Sequence, residues 1–211
     1  MWRFLLAVLL SAVVAIALVS CDNSTSSKNV VDPNYFPSKV GSQWVYNVYD
    51  SIADVGYETE VTITGLDTMS NGQVATLWSY KADKIVFRFD WVVKNKDSVK
   101  VYDSPVADDM LRLYLIPFEI GRKWTYGLHA PGSKTYQDKV ELKSEFTVPA
   151  GEYDNVYLIS TTITQAVPGY FGLRELRFLP HVGRLHIYET EGYDEADINK
   201  VWTLTEYSFP D

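Results

Sequence analysis

One sequence pattern occurs twice in this chain and constrains its fold more than any other feature. Residues 36–46 read FPSKVGSQWVY, and residues 116–126, eighty positions later, read IPFEIGRKWTY. Proline biases the residue before it to an extended conformation, glycine permits a turn, and alternating large side chains are typical of a strand. Each copy therefore predicts a turn that starts a strand and places a tryptophan in the core. The residues concerned are Pro37, Gly41, Trp44, Tyr46, Pro117, Gly121, Trp124 and Tyr126.

Strand patterns follow the first copy along most of the chain. Residues 57–66 alternate Tyr, Thr, Val and Ile with Glu and Thr, which is the period of a half-buried antiparallel strand. Residues 110–116 are short and apolar and fit either a strand or a helical turn. No amphipathic helix of ten or more residues is predicted beyond the N-terminal segment. The eleven predicted strands cover residues 43–50, 57–66, 74–80, 84–93, 97–102, 123–126, 135–146, 155–165, 170–179, 184–191 and 200–207.

Turn residues separate these strands and predict tight connections. Asn71-Gly72 is the dipeptide that a type I′ turn favours, so we expect residues 74–80 to pair back on residues 57–66. Long alternating strands with tight turns predict a single antiparallel meander of about eleven strands that curls into an open or half barrel, similar to lipocalin-like or lipoprotein-carrier-like folds. A β-sandwich is the alternative. Residues 35–211 are expected to form this single β domain.

The N-terminal segment predicts export and lipid anchoring. Residues 1–20 combine Arg3 with an apolar run, as a cleaved signal peptide does. They end in Leu-Val-Ser before Cys21, the chain's one cysteine, which resembles the bacterial lipobox and predicts that Cys21 is acylated. Residues 21–34 are polar and read as a flexible tether. We therefore expect anchoring to a membrane through an N-terminal lipid, with the outer membrane or cell surface favoured and the inner membrane as the alternative.

The charge and the motifs exclude several kinds of partner and site. The net charge of −8 argues against nucleic acid. His181 and His186 lack the spacing of a known metal site, and residues 189–197 lack the spacing of a calcium loop and read as a solvated hairpin loop. No nucleophile motif or phosphate loop is present, so no catalytic residue, metal or cofactor is expected.

The doubled motif also carries a resemblance. Together with residues 148–156, VPAGEYDNV, and 179–188, LPHVGRLHIY, it resembles lipoproteins of the Bacteroidetes, Chlorobi and Ignavibacteria lineages whose activity is uncharacterised. The resemblance implies a curved antiparallel sheet and brings no catalytic residues. The hypothesis is a non-enzymatic envelope lipoprotein that binds a hydrophobic ligand or a partner envelope protein. A purely structural scaffold is one alternative. The other is a cell-surface hydrolase of glycans or esters, which needs two or more acids, or a serine with His129, His181 or His186, within hydrogen-bond reach of one pocket.

Overall fold

The computed structural model describes residues 35–127, 133–165, 167, 169–193 and 195–211. The predicted signal peptide, Cys21 and the tether fall on residues 1–34, outside this part of the chain. The described residues form twelve strands joined by turns and contain no helix. Among them, therefore, no helix is long and apolar enough to cross a membrane.

The twelve strands alternate with short connections. Their bounds are β1 Gln43–Asp50, β2 Val55–Thr68, β3 Val74–Ala82, β4 Ile85–Lys94, β5 Ser98–Tyr102, β6 Arg112–Leu115, β7 Lys123–Gly127, β8 Lys134–Val148, β9 Gly151–Gln165, β10 Tyr170–Leu179, β11 Gly183–Tyr193 and β12 Glu195–Ser208.

All twelve strands belong to one antiparallel sheet in the order β6-β5-β4-β3-β2-β1-β12-β11-β10-β9-β8-β7. The first and last strands pair with each other, and every other ladder joins strands that are consecutive in the chain. The meander thus curls into a barrel that is open at one place, between β6 and β7, which we call the seam. This confirms the predicted open barrel, and the single sheet excludes the β-sandwich.

The structure decides one open strand prediction and corrects one strand boundary. Segment 110–116, predicted as either a strand or a helical turn, contains the strand β6, so the sheet has twelve strands where about eleven were predicted. Strand β9 begins at Gly151 and not at residue 155, because the turn is confined to Pro149 and Ala150. Asp154 and Asn155 then lie opposite the single residue Glu145, and Asn155 has a φ of 63°, so a bulge continues the strand through a sequence that reads as a turn.

The predicted hairpin at Asn71-Gly72 is present, but its turn type was wrong. Only Gly72 of this pair has a positive φ, 81°, and its N–H donates to the carbonyl of Met69, 2.8 Å away. The two-residue turn with positive φ at both positions is instead Asp83-Lys84, with φ values of 48° and 68°, between β3 and β4. A type I′ turn therefore forms here without glycine.

The two motif copies build the same turn. The N–H of Gly41 donates to the carbonyl of Ile63 and the N–H of Gly121 donates to that of Val140, each at 2.8 Å. In both copies the partner's N–H donates back to the residue after the glycine, at 2.9 and 3.0 Å. The glycine φ values, 91° and 85°, lie in the left-handed region that only glycine adopts freely. Strand β7 therefore opens the second half of the sheet as β1 opens the first.

Aromatic side chains fill one end of the barrel, which we call the closed end. Tyr35 and Phe36, just before β1, lie in this core, and the Phe36 ring packs against Trp78, Tyr114 and Phe178 with centroid separations of 5.9, 5.6 and 5.3 Å. The Tyr35 carbonyl accepts a hydrogen bond from the N–H of His181, 3.1 Å away. The opposite end, where the β1–β2 and β3–β4 connections lie, is the mouth.

Candidate functional site at the barrel mouth

A cavity of about 340 Å³ lies at the mouth of the barrel. Arginines from three separated strands line it, with two glutamates and an apolar wall. Beneath it side chains fill the interior, and two voids among them measure only about 20 and 10 Å³. The lining of the cavity includes Arg88, Arg112, Tyr136, Ile163, Arg174, Glu189, Glu191 and Ile198.

The strand period brings these arginines inside. On β10, Arg174, Leu176 and Phe178 are buried in alternation with more accessible neighbours, so they share the inner face. On β4, Arg88 and Asp90 share the inner face, while Phe89 is exposed on the outer one. A set of charged residues thus occupies the inner face of the barrel close to the mouth.

Arg174 is buried beside aromatic rings. The residue is 7% exposed, and its guanidinium donates to the phenol oxygen of Tyr126 at 3.0 Å and lies 6.0 Å from the Tyr136 ring centroid. Among the described residues no carboxylate lies within ion-pair distance of this cation. Burial raises the pKa of the Tyr126 phenol and the Arg174 charge opposes that rise, so the phenol stays neutral at physiological pH.

Arg112 lies on β6, the strand that borders the seam. Its side chain is 13% exposed, and its one ion-pair partner among the described residues is Glu189, at 3.8 Å. A separation of this length is too long for a hydrogen bond. The guanidinium donors of Arg112 thus stay available to a molecule in the mouth cavity.

A chain of polar contacts lies just below the cavity. The buried Arg184 donates to the phenol oxygen of Tyr80 at 2.8 Å, and that phenol donates to Asp90 at 2.7 Å. Arg88 donates to the other oxygen of Asp90 at 2.7 Å. Burial raises the pKa of Tyr80, which keeps its hydroxyl proton in this chain. The two arginines here are held by protein groups and are less free than Arg112.

Asp138 is a buried acid on the inner face of β8. It is 3% exposed, and its Oδ1 atom has no hydrogen-bond partner among the described residues. Burial raises the pKa of this carboxyl, while a hydrogen bond from Thr161 and the charge of Arg174 oppose the rise. The charges of Asp138 and Arg174 thus act on each other, although the two groups do not form an ion pair.

Both motif tryptophans lie in the hydrophobic core. Trp44 is 1% exposed, and its indole N–H donates to the Val182 carbonyl at 2.7 Å. Trp124 is 7% exposed, and its indole N–H donates to the Leu113 carbonyl at 2.8 Å, from β7 to β6 across the seam. Both side chains thus tie distant parts of the sheet together.

The remaining motif residues contribute less to the mouth. Tyr46 donates to the Arg184 carbonyl at 2.9 Å, and Tyr126 is the motif member that contacts the candidate site. Pro37 is buried, whereas Pro117 follows a cis peptide bond and its carbonyl accepts from Arg122 at 3.0 Å.

Of the histidines singled out by sequence, His181 and His186 lie apart from the mouth. His181 is exposed at the closed end, with its ring 6.4 Å from that of Tyr35. His186 is half-buried against Phe146 and 3.2 Å from the Thr203 hydroxyl. Burial, with the charge of Arg177 adding to it, lowers the pKa of His186. His129 lies outside the described residues, and within them no group of three His, Cys, Asp or Glu side chains could hold a metal ion.

The prediction that residues 189–197 form a solvated loop was wrong for most of the segment. Strand β11 runs to Tyr193 and β12 begins at Glu195. Glu189 points to Arg112, and Glu191 forms an ion pair with Lys134. A run of acidic residues predicts a solvent-exposed loop when no cations are seen to pair with them. Here the pairing cations lie on other strands, which the local sequence does not reveal.

Sequence reasoning missed the arginines of the mouth. Arg88, Arg112 and Arg174 stand in ordinary strand contexts, and alternation alone does not say which face of a strand lies inside. One signal was available on β4, where charged and aromatic residues alternate and so lie on opposite faces of the strand. The aromatic Phe87 and Phe89 are exposed, which leaves the charged face inside.

Comparison with known proteins yields distant likenesses. The chain matches no protein-family model and none of the curated proteins. It is similar to the crystal structure of a proposed lipoprotein from Parabacteroides distasonis, with 14% identity and a TM-score of 0.47 over 82% of this chain and 98% of that one. It is also similar to a proposed exported protein with a YmcC-like fold from Bacteroides fragilis, with 11% identity and a TM-score of 0.47 over 83% of this chain and 99% of that one.

Proposed function

We propose that this chain is a non-enzymatic lipoprotein of the bacterial cell envelope, anchored through Cys21, whose barrel mouth is its binding face. The observation that carries the binding role is the arginine-lined cavity of about 340 Å³ at the mouth. A cavity of this size is in the range that small ligands occupy. The lipobox pattern before Cys21 supports the anchor.

The position of the first described residues fits this arrangement. Tyr35 and Phe36, the first described residues, lie in the closed end, opposite the mouth. The described domain therefore has its N-terminal end and its candidate binding face at opposite ends of the barrel.

The filled interior shifts the binding hypothesis from the barrel centre to its mouth. The voids beneath the mouth cavity, about 20 and 10 Å³, are too small for a lipid chain. A hydrophobic ligand enclosed by the described barrel would have to displace packed side chains, which is costly. A ligand at the mouth needs no such displacement.

Metabolic labelling with an alkyne analogue of palmitate tests the anchor. The wild type is expected to take up the label, and Cys21→Ser is expected to lose it, because Cys21 is the chain's one cysteine. Ser24→Ala, three residues away, is the matched control and should be labelled like the wild type. Equal labelling of Cys21→Ser would contradict the proposed anchor.

A scaffold role is the second candidate, and exposed apolar side chains on the β3–β4 hairpin favour it. Ile85 is 69% exposed, and Val86, Phe87 and Phe89 are exposed beside it. Neighbouring exposed apolar groups of this kind mark protein contacts in many proteins. A photo-crosslinking residue at Ile85, with Leu142 on the outer wall as control, tests it in cells. One defined protein partner at Ile85 alone would favour the scaffold, and capture of none would count against it.

A further inference from the structure

We propose that the mouth cavity binds a small organic anion, with a carboxylate or phosphate group held by Arg112 and Arg174. This inference rests on the proposed function in one respect, that the mouth is the binding face. It adds the chemical class of the ligand and the residues that recognise it.

The first support is the lack of a direct ion pair at Arg174. A buried cation is costly unless a carboxylate or a comparable group pairs with it. Arg174 has a phenol at 3.0 Å and a neighbouring aromatic ring, and no carboxylate of the described residues lies within ion-pair distance of it; Asp138 acts on it only from farther away. An anion in the cavity would supply a direct partner.

The second support is the position of Arg112. This guanidinium lines the same cavity, and its described carboxylate, Glu189 at 3.8 Å, is too far for a hydrogen bond. A guanidinium presents parallel N–H donors that match the two oxygens of a carboxylate or phosphate. Arg112 can therefore bind such a group without giving up a hydrogen bond to a described residue.

The lining acids do not cancel the lining cations. Glu191 is paired with Lys134 of β8, and Arg88 is paired with Asp90. Of the acids that line the cavity, only Glu189 is left for Arg112 and Arg174, and Asp138 adds one buried carboxyl near Arg174 outside the lining. The lining itself therefore carries more free cations than free carboxylates, in a chain whose net charge is −8. The cavity therefore favours an anion, although the protein as a whole is negatively charged.

The rest of the wall indicates what the anion is attached to. Tyr136, Ile163 and Ile198 line the cavity beside the arginines. An apolar body packed on these side chains gains the free energy of removing apolar surface from water. A small aromatic or branched organic acid fits both parts of the wall. The same chemistry is present in a free organic anion and in the headgroup of an anionic lipid.

Calorimetric titration of the protein in phosphatidylcholine nanodiscs tests whether it binds an anion. The probes are benzoate, phenyl phosphate and the neutral benzamide. We expect at least one anion to bind about tenfold or more tightly than benzamide, because charge-assisted hydrogen bonds are the stronger ones. Benzamide binding as tightly as both anions, or no anion binding up to about 10 mM, would overturn the proposal unless the lipid experiment below is positive.

Two matched variants locate the site. Arg112→Gln removes a guanidinium from the cavity and is expected to weaken anion binding about tenfold or more. Arg177→Gln removes one that lies over the Phe146 ring, three positions from Arg174 on β10, and should leave binding unchanged. Equal binding by Arg112→Gln and the wild type would overturn the assignment. If Arg112→Gln fails to fold, the Nε–Hε NMR signals of the wild-type arginines are measured instead. Signals of Arg112 and Arg174 that do not move when an anion binds would overturn the assignment of the site.

Nanodiscs that contain phosphatidylglycerol test the lipid source. If the signals of Arg112 and Arg174 shift in them without a soluble anion, the bound group is a lipid headgroup and the site stands. If neither a soluble anion nor phosphatidylglycerol affects these arginines, the proposal fails. Labelling at Cys21 is measured independently, so loss of the anion site and loss of the anchoring role remain distinguishable.

Discussion

The indole N–H of Trp124 donates to the backbone carbonyl of Leu113, 2.8 Å away, across the one junction of the described sheet that has no strand ladder. Strand β7 opens the second half of the sheet as β1 opens the first, but β1 pairs with β12 along its length. At the seam this side-chain bond joins β7 to β6, the strand that also carries Arg112. Trp124 thus stabilises an edge on which the mouth depends.

Removal of either motif tryptophan should destabilise the fold. Trp44→Ala and Trp124→Ala are each expected to lower the free energy of unfolding by about 3–5 kcal/mol, as buried large-to-small changes do. Trp124→Phe keeps an aromatic ring but leaves the Leu113 carbonyl without its donor, which should cost about 1–3 kcal/mol. Denaturant unfolding followed by circular dichroism measures both. A silent alanine variant would show that its tryptophan does not lie in the core.

The left-handed conformation of the motif turn predicts a second effect. Gly121 has a φ of 85° and open space around its Cα, so Gly121→Ala should cost about 1–2 kcal/mol through backbone strain alone. Gly65→Ala is the matched control, because its surroundings are equally open and its φ lies outside the left-handed region. Thermal unfolding should separate the two variants, and equal Tm values would contradict the turn geometry.

The β3–β4 turn is a site where glycine should stabilise. Lys84 has a φ of 68°, and glycine adopts this region without the cost that a Cβ imposes. Lys84→Gly is therefore expected to raise the free energy of unfolding by about 0.5–1 kcal/mol. The β-branched Lys84→Val should lower it. A destabilised Lys84→Gly would argue against a type I′ turn at this hairpin.

The buried imidazole of His186 predicts a pH dependence. Burial and the Arg177 charge lower its pKa in the folded state, so below the ordinary value of about 6.5 the unfolded chain binds this proton more readily. Stability should therefore fall as the pH decreases through about 6.5, and His186→Gln should remove this part of the loss. Unfolding of both proteins from pH 7.5 to 5 measures it. Parallel curves would contradict the lowered pKa.

Local patterns were sufficient to predict the strands but not the mouth. Alternation identified β1 at residues 43–50 and β10 at residues 170–179, both with the bounds that the structure has. The β1–β12 pairing joins the two ends of the sheet, so no local pattern signals it or the position of the seam. Whether Arg174 faces inward depends on the direction in which the sheet curls, which alternation leaves undetermined.

Native mass spectrometry of the protein released from its own membranes tests the central claim most directly. Our account predicts an acylated polypeptide that carries a small acidic molecule, and the loss of that molecule in Arg112→Gln but not in Arg177→Gln. A wild-type protein whose mass is that of the acylated polypeptide alone would contradict it. So would an apolar ligand retained equally by the wild type and Arg112→Gln.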